Sequence, residues 1–317
     1  MRANGEPEEK QGARSRRHPL SRAFLYLVLL VGAGIGASLV AALFTSGLGW
    51  MLQSRDGGHP PGGWELAILY AALAAAVLLA TWGMTTGVEG RPFRTVGFSW
   101  DRRAAGEIGF GLALGVGLQT AIVAAWALFG AAAFEAVRWD DLPPFPRWLP
   151  ATAGWAASAL TWGLLLFVPA ALCEELAVRG YLLPTLAEAW GDRAALGVTS
   201  LLFGALHLMN PGASPFAFAG TAAAGVMLGL AYLRSGRLWL PWALHVGWNW
   251  AQGSLWGLPV SGTDVPSVFQ ARLEAPWLWT GGPFGPEASV SGLLAVAFGI
   301  ALLACWRSRE ERNGTTS

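Results

Sequence analysis

Long apolar runs separated by short polar stretches dominate the chain of 317 residues. The first covers 23 to about 44, and others follow at about 64–88, 107–129, 153–172, 194–209, 215–233, 238–257 and 288–306. A helix needs about 20 apolar residues to cross the hydrocarbon core, so the pattern predicts an all-α, polytopic membrane helix bundle with about eight transmembrane helices. The first run is too long for a signal-peptide core and reads as a retained anchor. The fourth is expected to continue as helix towards Glu188, and the fifth, short for a bilayer, to tilt or to sit in thinned lipid.

Basic residues give the orientation, because cytoplasmic loops are enriched in Lys and Arg. With the N-terminus inside, inner segments hold Arg2, Lys10, Arg14, Arg16, Arg17 and Arg22, then Arg91, Arg94, Arg102 and Arg103, then Arg193, Arg234 and Arg237, and finally Arg307, Arg309 and Arg312. Outer loops hold only Arg55, Arg138, Arg147 and Arg272. An even number of spans keeps the basic C-terminus inside, so both termini are expected to be cytoplasmic, in the cell membrane. The organisation is then a disordered cytoplasmic tail (1–22), spans one to three with their loops (23–150), a core of spans four to seven (151–257), an outer Pro/Trp-rich loop (258–287), and span eight with a basic tail (288–317). The outer loop reads as a plain connector rather than a lid. A second Pro-rich stretch, Leu142-Pro143-Pro144-Phe145-Pro146, precedes span four.

Composition agrees with a membrane protein: 54% of residues are hydrophobic and only 13% charged, against about a quarter charged in soluble domains. The net charge of +1 argues against a nucleic-acid partner. Cys173 and Cys305 both fall in apolar runs, where a disulfide or a cysteine metal site is not expected. Many of the 18 tryptophans stand near span ends, where an indole suits the headgroup level. Small-residue spacings at Gly32/Gly36, Gly111/Gly115 and Gly225/Gly229 predict close helix contacts.

Against this apolar background the stretch Cys173-Glu174-Glu175-Leu176-Ala177-Val178-Arg179 needs a reason. Three uncompensated charges at the bilayer centre would cost about 8–10 kcal/mol on the insertion scale. On a helix Glu175 and Arg179 are i,i+4 neighbours in the favourable order and neutralise one another, whereas Glu174 points elsewhere and must find its partner on another helix. Two intramembrane histidines are candidates: His207, four residues after Phe203 in span five, and His245, four before Asn249 in span seven. A rise of 1.5 Å per residue puts Glu174 and His207 about 21 Å from the inner turn but His245 only about 10 Å, a mismatch in depth. A lone buried histidine is more often core than ligand. Two carboxylates, two imidazoles and a carboxamide on three spans are a functional set by default.

At these residues the chain resembles the CAAX prenyl protease and bacteriocin-processing family, the type II CAAX endopeptidases. The family's Glu-Glu-x-x-x-Arg, Phe-x-x-x-His and His-x-x-x-Asn/Asp motifs are matched in order by Glu174, Glu175 and Arg179, by Phe203 and His207, and by His245 and Asn249. The resemblance covers about 155 to 255; outside it, Val96-Gly97-Phe98 is similar to a short upstream element of such proteins. It implies an intramembrane endopeptidase with Glu174, His207, His245 and Asn249 catalytic, and Glu175, Arg179 and Phe203 in support. Peptide hydrolysis needs an activated water and oxyanion donors, and the residues allow two mechanisms. Glu174, helped by His207, acts as general base while His245 and Asn249 bind the oxyanion; or Glu174, His207 and His245 hold a zinc ion with an open water position. The family's common description as metalloproteases favours zinc. The partner is a membrane-associated peptide or protein in a lipid bilayer, its identity and the oligomeric state being unreadable. Rival readings are a non-catalytic scaffold or immunity protein and a proton-coupled transporter, the latter weakened by the lack of internal symmetry.

Overall fold

The computed structural model describes residues 18–56, 64–136 and 154–306. The expected features at 1–17 and 142–146, and Arg138, Arg147, Arg307, Arg309 and Arg312, lie outside the described residues. The helices are α1 (Pro19–Asp56), α2 (Trp64–Trp82), α3 (Arg102–Leu128), α4 (Gly154–Glu175), α5 (Leu183–Trp190), α6 (Asp192–Leu206), α7 (Pro215–Ser235), α8 (Trp239–Trp250), α9 (Trp277–Thr280) and α10 (Val290–Cys305). Helical rods stand at all eight apolar runs. By length and composition five segments suffice to cross a membrane: 19–43, 65–88, 102–128, 156–190 and 215–235. The protein is thus a multi-pass helical membrane bundle. The rods at α6, α8 and α10 are shorter, at 15, 12 and 16 residues.

Helix ends follow local chemistry. Asp101 caps α3 by accepting from the N–H groups of Arg103 and Ala104, and Ser214 and Ser289 cap α7 and α10 in the same way. Gly236, at φ 66°, closes α7 in the left-handed conformation. Three helices loosen into π-helical turns at Gly83–Val88, Leu176–Leu182 and Ala251–Leu255. The second starts directly after Glu175 and the third directly after α8, so two of them flank motif residues.

Close packing sets the position of α8. A Cβ on Gly115 would lie 2.3 Å from the Leu244 carbonyl oxygen and one on Gly247 2.7 Å from that of Leu112, so α3 and α8 meet backbone to backbone. A Cβ on Gly225 would likewise lie 2.9 Å from the Ser200 Cα of α6. The spacing at Gly32/Gly36 does not mark a contact, since a Cβ at either position would meet nothing within 4 Å. The tryptophans are not only an interfacial belt, because Trp126, Trp162 and Trp248 are buried.

Two further expectations are corrected. The helix starts at Pro19, inside the supposed tail, and Arg22 is buried, because its long side chain reaches both Glu89 and Glu188. The segment 258–287 is not a bare connector. Its strand β2 (Phe269–Leu273) pairs antiparallel with β1 (Ala132–Ala136), from Ala132 opposite Leu273 to Ala136 opposite Phe269. This small sheet departs from a purely α fold and ties the segment to the end of α3. Val260, Ser261 and Thr263 then line the cavity that holds the motif residues.

Candidate active site

Glu174 and Glu175 end α4, Phe203 and His207 lie at the end of α6, and His245 and Asn249 share α8. Glu174, Phe203, His207, His245 and Asn249 line one cavity of about 280 Å³. Glu175 and Arg179 stand behind this wall, both buried. Glu175 Oε1 accepts from Arg179 Nη1 at 2.9 Å and from His245 Nδ1 at 2.9 Å. The ion pair anticipated within the helix is therefore also the anchor of a catalytic candidate, a role the local spacing of Glu175 and Arg179 did not reveal. Arg179 is held further by the Gly225 carbonyl of α7 at 3.2 Å and by the Phe203 ring, whose centroid lies 4.4 Å from the guanidinium carbon. The same ring lies 4.6 Å from His207 and 6.1 Å from His245, centroid to centroid, so Phe203 spaces the two imidazoles.

The partners of each imidazole define its tautomer. His207 Nδ1 is 2.8 Å from the Phe203 carbonyl oxygen, which can only accept, so Nδ1 carries the proton. A carboxylate takes the same part for His245. Both Nε2 atoms are thereby left for other work. His245 Nε2 lies 3.9 Å from Glu174 Oε2, an atom without a hydrogen-bond partner among the described residues although it is buried. The Glu174 side chain as a whole stays 28% exposed, so it is desolvated on one side and reachable on the other.

The expected mismatch in depth is absent, since α8 brings His245 Nε2 within 3.9 Å of Glu174 Oε2. This helix rests on the segment 93–97: Leu238 N–H donates to the Gly97 carbonyl at 3.2 Å, and any side chain at Gly97 would strike the Leu238 amide. Arg237 beside Asp101 holds that carboxyl down to about 2 and ties this ledge to the start of α3.

The zinc expectation can be tested on donor geometry. Outward Nε2 atoms backed by oxygen acceptors at Nδ1 would suit a metal. Among the described residues, however, no three His, Cys, Asp or Glu side chains form a group able to hold one. As they stand, Glu174, His207 and His245 are not drawn together into such a group.

Sequence reasoning missed the rest of the lining. Leu30 of α1 and Tyr70 of α2 close one side, and Asn210 and Ser261 another. A smaller space of about 30 Å³, room for a water, adjoins His207, His245, Asn249, Ser261 and Glu287. Asn210 follows His207 by one helical turn, and Glu287 is a solitary acid at the mouth of an apolar run; those were the available signals. An apolar groove along α1, reaching Leu73, Leu206 and Met209, shares Leu30, Gly34, Leu73 and Leu206 with the main cavity.

A helical bundle with membrane-length apolar segments that gathers acid, imidazole and carboxamide side chains around one cavity is in the class of polytopic membrane proteins with an internal polar site. Residues 155–251 match the family model for the type II CAAX prenyl endopeptidase, Rce1-like. The match covers under a third of the chain and supports the resemblance to the CAAX prenyl protease family that the motifs implied, a family of CAAX-type endopeptidases. No curated protein matches the chain.

Proposed function

We propose that the protein hydrolyses a peptide bond of a membrane-associated peptide or protein in this cavity, through a water activated by Glu174. The observation that carries the reading is Glu174 Oε2, without a hydrogen-bond partner among the described residues, lying 3.9 Å from His245 Nε2 in a cavity shared with His207 and Asn249. A water about 2.8 Å from both atoms would be held by two groups at once. Glu174, with His207 beside the same water, takes its proton as the hydroxyl oxygen attacks the carbonyl carbon. His245, protonated at Nε2 with its charge offset by Glu175, and the Asn249 amide donate to the oxyanion. Glu174 then returns the proton to the leaving nitrogen as the C–N bond breaks.

The apolar groove beside α1 supports a substrate that arrives from the lipid rather than from bulk water. The reading includes eight spans with both termini cytoplasmic in the cell membrane, which the distribution of Arg and Lys supports. The test is cleavage by purified protein in proteoliposomes. The wild type is expected to cut and Glu174→Gln not to; equal cleavage by both removes the mechanism. Activity that survives exhaustive chelation, with no zinc by elemental analysis, is expected, and loss on chelation restored by zinc would revive the metal mechanism.

A further inference from the structure

One feature of the cavity wall has no part in the hydrolysis just described. Residues 260–263 form a tight turn in which Val260 and Thr263 exchange backbone hydrogen bonds at 2.9 Å in both directions. Its central residues, Ser261 and Gly262, have φ of 46° and 84°. Such turns favour Gly, Asn or Asp at both places, and Ser261 is the only non-glycine with positive φ among the described residues. A serine held against its backbone preference at the wall of a catalytic cavity points to a use for its hydroxyl.

The surroundings aim that hydroxyl. Glu287 Oε1 accepts from Ser261 N at 3.2 Å and from Ser261 Oγ at 3.3 Å, and Asn210 Nδ2 donates to the Ser261 carbonyl at 3.1 Å. Glu287 Oε2 accepts from Gln252 Nε2 at 2.7 Å, and Gln252 Oε1 accepts from Gln119 Nε2 at 2.6 Å. Both carboxyl oxygens thus face donors. A hydroxyl that spends its proton on Glu287 turns its lone pairs elsewhere, and Ser261 borders the space that His207, His245 and Asn249 also border. What a lone pair there can take is an N–H, and a peptide substrate brings one per residue.

Resting on the endopeptidase reading, we propose that Ser261 Oγ accepts a hydrogen bond from a backbone N–H of the bound peptide and so sets where the chain is cut. Ser261 is then a substrate-binding residue and Glu287 a positioning residue.

The test uses the full chain in detergent micelles with a farnesylated, internally quenched CAAX peptide as probe. Burial pushes the Glu287 carboxyl up to about 7, so the assay runs at about pH 8, where the carboxyl is ionised. Ser261→Gly keeps the turn's conformation and removes the hydroxymethyl group, hydroxyl included. It is expected to raise KM about three- to tenfold, one hydrogen bond's worth, with kcat within about twofold. Glu287→Gln offers an acceptor to one neighbour but a donor to the other, and is expected to act in the same direction. Methylating the probe's backbone nitrogens one at a time should find one position that weakens the wild type and leaves Ser261→Gly unaffected. Equal sensitivity of both proteins at every position overturns the proposal. A second arm does not need turnover: maleimide labelling of Ser261→Cys, read by mass spectrometry, should slow when the probe is present. A labelling rate indifferent to the probe overturns the proposal even if the wild type cleaves nothing.

Discussion

Two clusters of buried charge lie in this bundle, and they are resolved in opposite ways. In the first, Glu89 accepts from Arg22 at 3.0 Å and from the Tyr181 hydroxyl at 2.5 Å on one oxygen, and from Arg91 Nε at 2.7 Å on the other, while Arg22 also pairs with Glu188. Both oxygens of the carboxylate are occupied, and α1, the α2–α3 connection and α5 are fastened together. In the second, Glu175 Oε1 takes both Arg179 and His245 while its Oε2 stays buried without a partner among the described residues behind the cavity wall, and Glu174 beside it keeps such an oxygen on the edge of the cavity. Burial of charge alone therefore does not identify a site. What separates a clamp from a reactive group is whether unused hydrogen-bonding capacity opens onto a cavity: Arg22 Nε and Glu175 Oε2 also lack partners among the described residues, but neither residue lines the cavity that Glu174 lines.

The largest effect expected from this contrast is on rate. Glu174→Gln keeps shape and removes the base, so cleavage should fall by about 10²–10⁴-fold with the thermal melt unchanged. Wild-type cleavage by the variant would make Glu174 another clamp. Next comes Arg179→Ala, which strands Glu175 in a buried position. Loss of one partner of such a pair costs about 3–5 kcal/mol, to be read as poor expression and a lowered melting temperature. A well-expressed variant of normal stability would mean that His245 alone suffices to hold Glu175.

The contrast also explains what the chain's sequence disclosed. The candidate catalytic cluster is built from residues four apart in the chain, Glu175 with Arg179, Phe203 with His207 and His245 with Asn249, and helical periodicity exposes such pairs. Helix positions were equally legible, since the apolar runs coincide with the rods. The first cluster joins residues 67 and 166 positions apart, and Arg22 in isolation reads as one more basic residue of a tail. Ser261 and Glu287 were hidden for the same reason: their roles come from a turn and a strand pairing that bring 258–287 over the cavity, and a Pro/Trp-rich stretch carries no periodicity from which to read that. The depth of His245 was misjudged because the ledge at Gly97 is a tertiary feature.

A smaller effect sharpens the clamp side of the comparison. Glu89→Gln leaves Arg22 with Glu188 but deprives Arg91 and Tyr181 of a common carboxylate, for an expected loss of about 1–3 kcal/mol. Cleavage per folded molecule should stay at the wild-type level. A fall in kcat without loss of stability would connect this cluster to the chemistry.

Glu287 falls between the two types, because its oxygens are partnered yet it borders the space shared with His207, His245 and Asn249. Burial raises its carboxyl to about 7, against the opposing pull of Gln252 and Ser261. An acid whose folded value lies above its unfolded one binds more protons when folded across the interval between them. Its contribution to stability is therefore complete below about pH 4.5 and is lost as pH rises through about 7, with a slope of at most about 1.4 kcal/mol per pH unit. Melting temperature followed from pH 5 to pH 8 should decline across this window in the wild type more steeply than in Glu287→Gln, which cannot titrate. Parallel curves would mean that the hydrogen bonds from Gln252 and Ser261 outweigh burial, that the carboxylate is ionised throughout, and that Glu287 belongs with Glu89 among the satisfied clamps.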